Sequence, residues 1–140
     1  QANGPPIWVG GGSDAAMRRA VRFGDAWHPF RITVDGLREQ GLPRLREIAE
    51  EKAVPMPDVC PRIYLRITDT DLADDTRVAG EGSINQVRDD LAALAELGCT
   101  SVMLDTYTDD GLAAADLQIA WDMLQIIAEE IFDLPAERVR

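Results

Sequence analysis

The chain has 140 residues, of which 46% are hydrophobic and 28% charged, with a formal net charge of −11. This is ordinary globular composition and enough chain for one domain with a real core, which argues against intrinsic disorder. Lys and Arg number 14 against 25 Asp and Glu, so a clustered basic surface for phosphate backbones is not expected, nor is nucleic acid as a partner.

No apolar run approaches the ~18–20 residues needed to cross a bilayer. Gln1 to Pro6 has neither the basic nor the apolar region of a secretory signal. The expected location is the cytoplasm, away from membranes. The chain begins without Met and enters its first strand within six residues, as a chain entered midway would. Cys60 and Cys99 lack metal-ligand spacing, and one His leaves a histidine-based zinc site short of ligands, so no metal is expected. Cys99, just ahead of an apolar strand, reads as a buried, reduced thiol.

Ile7-Trp8-Val9 is a short apolar strand that stops at Gly10-Gly11-Gly12. Ser13 is an N-cap and Asp14 a first-turn charge for a helix whose apolar face is Ala16, Met17, Ala20 and Val21. Gly24 is its expected stop. Ala26-Trp27-His28 is the next strand, ended by Pro29. A helix is expected from about Asp35 to Lys52 with Leu37, Leu45, Ile48 and Ala49 as its stripe, kinked or split at Gly41 and Pro43. Val54-Pro55-Met56-Pro57 forces an extended connection.

Arg62 to Thr68 is the clearest strand, since Ile63, Leu65 and Ile67 alternate with Arg62, Tyr64, Arg66 and Thr68. A polar loop from Asp69 to Gly82 leads to a capping box, Ser83 with Gln86. Ile84, Val87, Leu91 and Leu94 form the next buried stripe, and Gly98 ends that helix. Ser101 to Asp105 is a fourth strand. A long helix from about Leu112 to Phe132 closes the chain, with Leu117, Ala120, Leu124, Ile127 and Ile131 expected inside. Trp8, Trp27 and Trp121 read as packing residues.

Strand then helix, four times over, is an α/β pattern with parallel strands and right-handed crossovers. Four such units make either an open doubly wound sheet or half of a (βα)8 barrel, and periodicity does not separate them.

Two segments carry a resemblance. Gly4-Pro5-Pro6-Ile7-Trp8-Val9-Gly10-Gly11-Gly12-Ser13, continuing through Ala20 to Gly24-Asp25-Ala26-Trp27-His28-Pro29, closely resembles the middle of luciferase-like monooxygenases, above all their deazaflavin-dependent branch. Gly82-Ser83 to Gln86-Val87, with Leu97-Gly98 and Val102-Met103-Leu104-Asp105, looks like the seventh helix and eighth strand of that family. The resemblance implies a flavin- or deazaflavin-dependent oxidoreductase built on a (βα)8 TIM barrel of about twice this length. Residues 1–140 would then form a single domain, the half barrel of strands five to eight. The departures are Ile84-Asn85 where the family has Pro-Glu, the Gly41/Pro43 interruption, and the N-terminal half, which in the family holds most contacts to the flavin ring.

The implied cofactor is the deazaflavin coenzyme F420, with FMN as the alternative. In the family the glycine loop takes the phosphate end of the cofactor, which points to Gly11, Gly12 and Ser13, with Arg18 assisting. Independently, glycines admit close backbone approach and a helix N-terminus offers unpaired N–H groups to an anion, although a tight strand-to-helix turn needs the same residues. His28, at the C-terminal end of its strand where barrel active sites are built, is a candidate proton donor or substrate contact, or else a hydrogen-bonded structural His beside Trp27. Arg66 should point inward to receive an anionic group, unless it forms an internal salt bridge with Asp105. The expected activity is hydride transfer between the reduced cofactor and a small organic substrate. A shortened, non-catalytic binding or interaction module is the alternative. A half barrel leaves strand edges and an inward face bare, so either a homo-oligomer or the missing N-terminal half is the expected partner.

Overall fold

The computed structural model describes residues 4–73, 77–107 and 117–133, together with the backbone of 138–139. The first strand, β1 (Trp8–Gly10), leads through the glycines into α1 (Asp14–Phe23). Ser13 caps that helix, its hydroxyl accepting from the Ala16 amide at 3.3 Å. Gly24 ends it for a reason other than handedness. Its φ is −103°, but a Cβ there would lie 2.8 Å from Val9 Cγ2, so the glycine lets α1 close down on β1.

The second strand, β2 (Ala26–His28), precedes one helical stretch made of α2 (Val34–Gly36), a π-helical turn (Leu37–Gly41) and α3 (Leu42–Lys52). The interruption expected at Gly41 and Pro43 takes the form of a wide turn rather than a break. Pro43 has no N–H to donate back along the helix. The coil widens just ahead of it, with the Leu42 N–H bonding to the Leu37 carbonyl. Leu37, Leu45, Ile48 and Ala49 are buried as expected, with Leu42 beside them.

The third strand starts earlier than its alternation suggests. A short β3 (Asp58–Val59) pairs with β2, and β4 (Arg62–Tyr64) continues it. Pro61 cannot donate to a ladder, and Val59, Cys60 and Pro61 are all buried, which hides the period of two. Next, β5 (Arg66–Ile67) pairs with β6 (Glu81–Gly82), inside the stretch expected as loop. Gly80 permits this. Its φ is +90°, and a Cβ there would lie 1.9 Å from the Tyr64 carbonyl oxygen.

The capping box is present in both directions, and α4 (Ile84–Glu96) runs from it to Gly98 in the left-handed region. It buries Val87, Leu91 and Leu94. The fourth expected strand is β7 (Met103–Asp105), parallel to β4.

The end of the chain is α5 (Leu117–Ile126), a second π-helical turn (Ile127–Ile131), and β8 (Phe132–Asp133) antiparallel to β9 (Arg138–Val139). Positions 112–116 of the expected helix lie outside the described residues. The stripe facing the core is Met123, Ile127 and Ile131, spaced four apart. Leu117 and Leu124, expected inside, are exposed, and Trp121 is 66% exposed rather than packed. They share an adjacent face of the same helix.

Strand order follows chain order. The sheet β1-β2-β3 and the pair β4-β7 are all parallel. Cys60 N–H to Trp27 O at 2.9 Å, Arg62 N–H to Pro29 O at 2.8 Å and Met103 N–H to Pro61 O at 2.9 Å join them into one advancing ribbon. A doubly wound sheet reverses its order at a switch point and carries helices on both faces. Here the apolar cluster of the described residues, from Trp27, Leu45 and Ile48 to Ile63, Val87 and Leu94, lies on one side. By register and alternation the other side holds Trp8, His28, Phe30, Arg62, Tyr64, Met103 and Asp105. Trp8, Phe30 and Met103 there are 40%, 54% and 45% exposed. The chain is thus an α/β fold of parallel strands, covered by helices on one face: a partial, barrel-like arrangement.

Candidate functional site

The glycine loop is held by its neighbours in a fixed and open form. Gly11 has φ +112°, its N–H bonds to the His28 carbonyl at 3.3 Å, and its own carbonyl accepts from Trp27 Nε1 at 2.8 Å. The amides of Gly12, Ser13, Asp14 and Ala15 have no acceptor among the described residues. A Cβ at Gly12 would meet nothing within 4 Å. Unpaired amides at the start of a ten-residue helix, facing open space, form the kind of loop that accepts an anion. Beside it runs a cleft of about 470 Å3, whose walls include Gly12, Trp27, Arg31, Thr33, Gln40 and Gly41.

Arg18 stands apart from that opening. Its Nε donates to Asp14 at 2.8 Å and its Nη1 to Glu51 at 2.9 Å. Arg44 joins the same network through Asp14 and Glu47. Hydrogen bonds from Arg44 and then Arg18 hold the Asp14 carboxyl below its ordinary range, and Arg18 does the same to Glu51. The network ties α1 to α3.

His28 lies on the uncovered face. Its Nδ1 donates to the Cys60 carbonyl, and its ring sits 5.3 Å from the ring of Trp8, tilted by 45°. Trp27 is on the other side of the strand, so Trp8 is the aromatic neighbour. Because a carbonyl only accepts, a neutral His28 carries its proton on Nδ1 and leaves Nε2 as an acceptor.

The ion pair expected of Arg66 belongs to Arg62 instead. Arg62 Nε donates to Asp105 Oδ2 at 2.8 Å, while Arg66 is exposed and lies in register with Glu81. The strand break at Leu65 moves Arg66 onto β6, away from β7. Arg62 and Tyr64 share the face and alternation of Arg66, so their orientation was readable from the sequence; the register with Asp105 was not. Arg31 Nε donates to the Tyr64 hydroxyl at 3.1 Å, with the guanidinium carbon 5.1 Å from the ring centre. A further pair, Arg77 with the buried Asp90 at 2.6 and 3.0 Å, is structural: Asp90 also accepts from the Gly80 N–H at 2.9 Å. Among the described residues no cluster of His, Cys, Asp and Glu is arranged to hold a metal ion, and no helix is long and apolar enough to cross a membrane.

Among solved structures, the chain is similar to an F420-dependent secondary alcohol dehydrogenase in complex with an F420-acetone adduct, with a TM-score of 0.67 and 14% sequence identity. The likeness covers 96% of this chain and 49% of the dehydrogenase, so the chain spans about half the length of the protein it resembles. At this identity the likeness concerns the fold. No family profile matches the chain. No curated protein matches it in sequence.

Proposed function

We propose that this chain is the C-terminal half of a (βα)8 barrel, strands five to eight, from a luciferase-like oxidoreductase that uses the deazaflavin F420. The observation that carries the reading is the combination of strands advancing in chain order under helices on one face, with a fold match that covers 49% of an F420-dependent secondary alcohol dehydrogenase. The resemblance of Gly4 to Pro29 to the deazaflavin-dependent branch supports it independently.

The open amides at Gly12 and Ser13 and the space above Gly12 suit the phosphate end of F420. Gly11 shapes the loop by its positive φ. Arg18 would act from one turn further on, and only after release from Asp14 or Glu51. When bound, the deazaflavin supplies the two-electron acceptor and donor for hydride. The residues of this chain orient it and handle the proton. In oxidation of an alcohol, His28 Nε2 would take the hydroxyl proton on the uncovered face, while the bound deazaflavin would supply the hydride acceptor. In reduction of a ketone the same ring returns the proton. FMN is the alternative occupant of the loop.

The bare face and edges require a partner, either the N-terminal half barrel or a second copy of this chain. A module that binds the cofactor without turnover is the second reading. Titration of F420 against the chain, alone and with an N-terminal half barrel from a luciferase-like homologue, followed by assay of alcohol oxidation, separates these. Weak binding alone and activity on pairing support the enzyme reading. Binding without activity in either state supports the module. No binding in either state contradicts both.

A further inference from the structure

A second cavity lies on the uncovered face, where β2, β4 and β7 end. It has a volume of about 160 Å3 and is lined by Phe30, Arg31, Arg62, Tyr64, Asp105 and Tyr107. That is room for about five water volumes at ~30 Å3 each. It shares only Arg31 with the cleft beside the glycine loop.

Its polar atoms are arranged in a particular way. Arg62 directs both Nε and Nη2 at one oxygen of Asp105, Oδ2. Its Nη1 has no hydrogen-bond partner among the described residues. The other carboxylate oxygen, Oδ1, accepts from the Tyr107 N–H at 3.1 Å and keeps a lone pair. The Tyr64 hydroxyl accepts from Arg31, which leaves its own proton to donate. The wall therefore offers two donors, one acceptor and three aromatic rings. The charge of Arg62 is already balanced by Asp105, whose side chain is 12% exposed. A ligand carboxylate would have to compete with Asp105 for Arg62, whereas hydroxyl and carbonyl oxygens use the remaining valences without disturbing the pair.

We propose that this cavity binds a small neutral molecule carrying adjacent hydroxyl or carbonyl oxygens, a short polyol or hydroxyketone, and that it recognises the substrate of the hydride transfer. The second half of that statement rests on the function proposed above; the binding does not.

The test is a titration of the isotopically labelled chain with erythritol, dihydroxyacetone and, as the anionic counterpart, glycolate. Tyr64, Tyr107 and Arg62 side-chain signals are followed by NMR. Saturable shifts are expected with erythritol and dihydroxyacetone, and about tenfold weaker binding in Asp105→Asn and Tyr64→Phe. Unchanged amide spectra of Tyr64→Phe separate lost binding from lost fold. Absence of shifts up to the solubility limit, equal affinity in both variants, or tighter binding of glycolate would overturn the proposal. Inorganic phosphate added to the same samples reads the Gly12 and Ser13 amides. Failure of the phosphate response with retention of the polyol response defeats the cofactor site alone, and the converse defeats this cavity alone.

Discussion

Ser13 shows how two roles of one residue can be separated. As an N-cap its hydroxyl holds the Ala16 amide, and Ser13→Ala should cost about 1 kcal/mol in chemical denaturation. Ser13→Asp keeps the cap and places a negative charge in the loop. It should leave stability near wild type while weakening phosphate or F420 binding about tenfold, read by titration. Equal F420 affinity in Ser13→Asp would contradict the proposed role of the loop. Cys99 belongs to this scale too. Burial, with Cys60 nearby, pushes its thiol up to about 11. Its alkylation in the folded chain should stay slow through pH 9 and accelerate only as pH approaches 11, when the thiolate forms. Rapid labelling near pH 8 would contradict that environment. At this scale the sequence was legible where a residue's task is local, as for Ser13, Gly11 and the Ser83–Gln86 box. Asp105 was assigned to Arg66 rather than Arg62 because the choice depends on a strand break that Gly80 and Tyr64 create across 16 residues of chain.

Elements are joined here by charge as well as by apolar packing. Asp14 and Glu51, with Arg18 and Arg44, bridge α1 and α3 across the surface. Both carboxyls titrate below their ordinary values of 3.8 and 4.5 in the folded chain. Their contribution is therefore present above those ordinary values and is lost as pH falls through the depressed ones. NMR titration should show the Asp14 and Glu51 carboxyl signals moving at lower pH in the wild type than in Arg44→Gln for Asp14 and Arg18→Gln for Glu51. Coincident titration curves would show that the bridge is not formed in solution. The Arg77–Asp90 pair is the buried counterpart, fixing the chain before β6 onto α4. Arg77→Leu strands a buried carboxylate and should destabilise by about 3–5 kcal/mol, measured by denaturant midpoint. Helices α1 and α4 were readable because caps and a 3.6 period mark them, and α3 by its apolar stripe. The strands β3 and β6 were not, since each is two residues long and exists through its partner. The phase of α5 was misread because the helix is apolar on two faces, and only tertiary contact selects Met123 and Ile127 over Leu117 and Leu124.

At the scale of the molecule, the exposed apolar residues mark what is uncovered. Ile7 precedes the first strand, Trp8 lies on it and Phe23 on the first helix, Phe30 and Met103 are on the open sheet face, and Leu117, Ile119, Trp121 and Leu124 on the last helix. Such surface is seldom left in water. On the half-barrel reading the first strand and the last helix would meet the other half of the barrel, and the chain should behave in light scattering as a dimer or as one part of a hetero-assembly. A stable monomer with slow-exchanging amides in both edge strands would contradict it. The alternation of strand and helix announced parallel α/β architecture from the sequence, and the order of the described strands is that of a partial, barrel-like arrangement. Sequence period cannot carry strand order, because the same βα unit also serves an open doubly wound sheet. The most direct measurement of the central claim is titration of the labelled chain with F420, followed residue by residue. Saturable shifts centred on the amides of Gly11, Gly12 and Ser13, extending to His28 and competed by inorganic phosphate, are the expected result. Shifts that avoid the glycine loop, or none at all in the presence of a complementary half barrel, would contradict it.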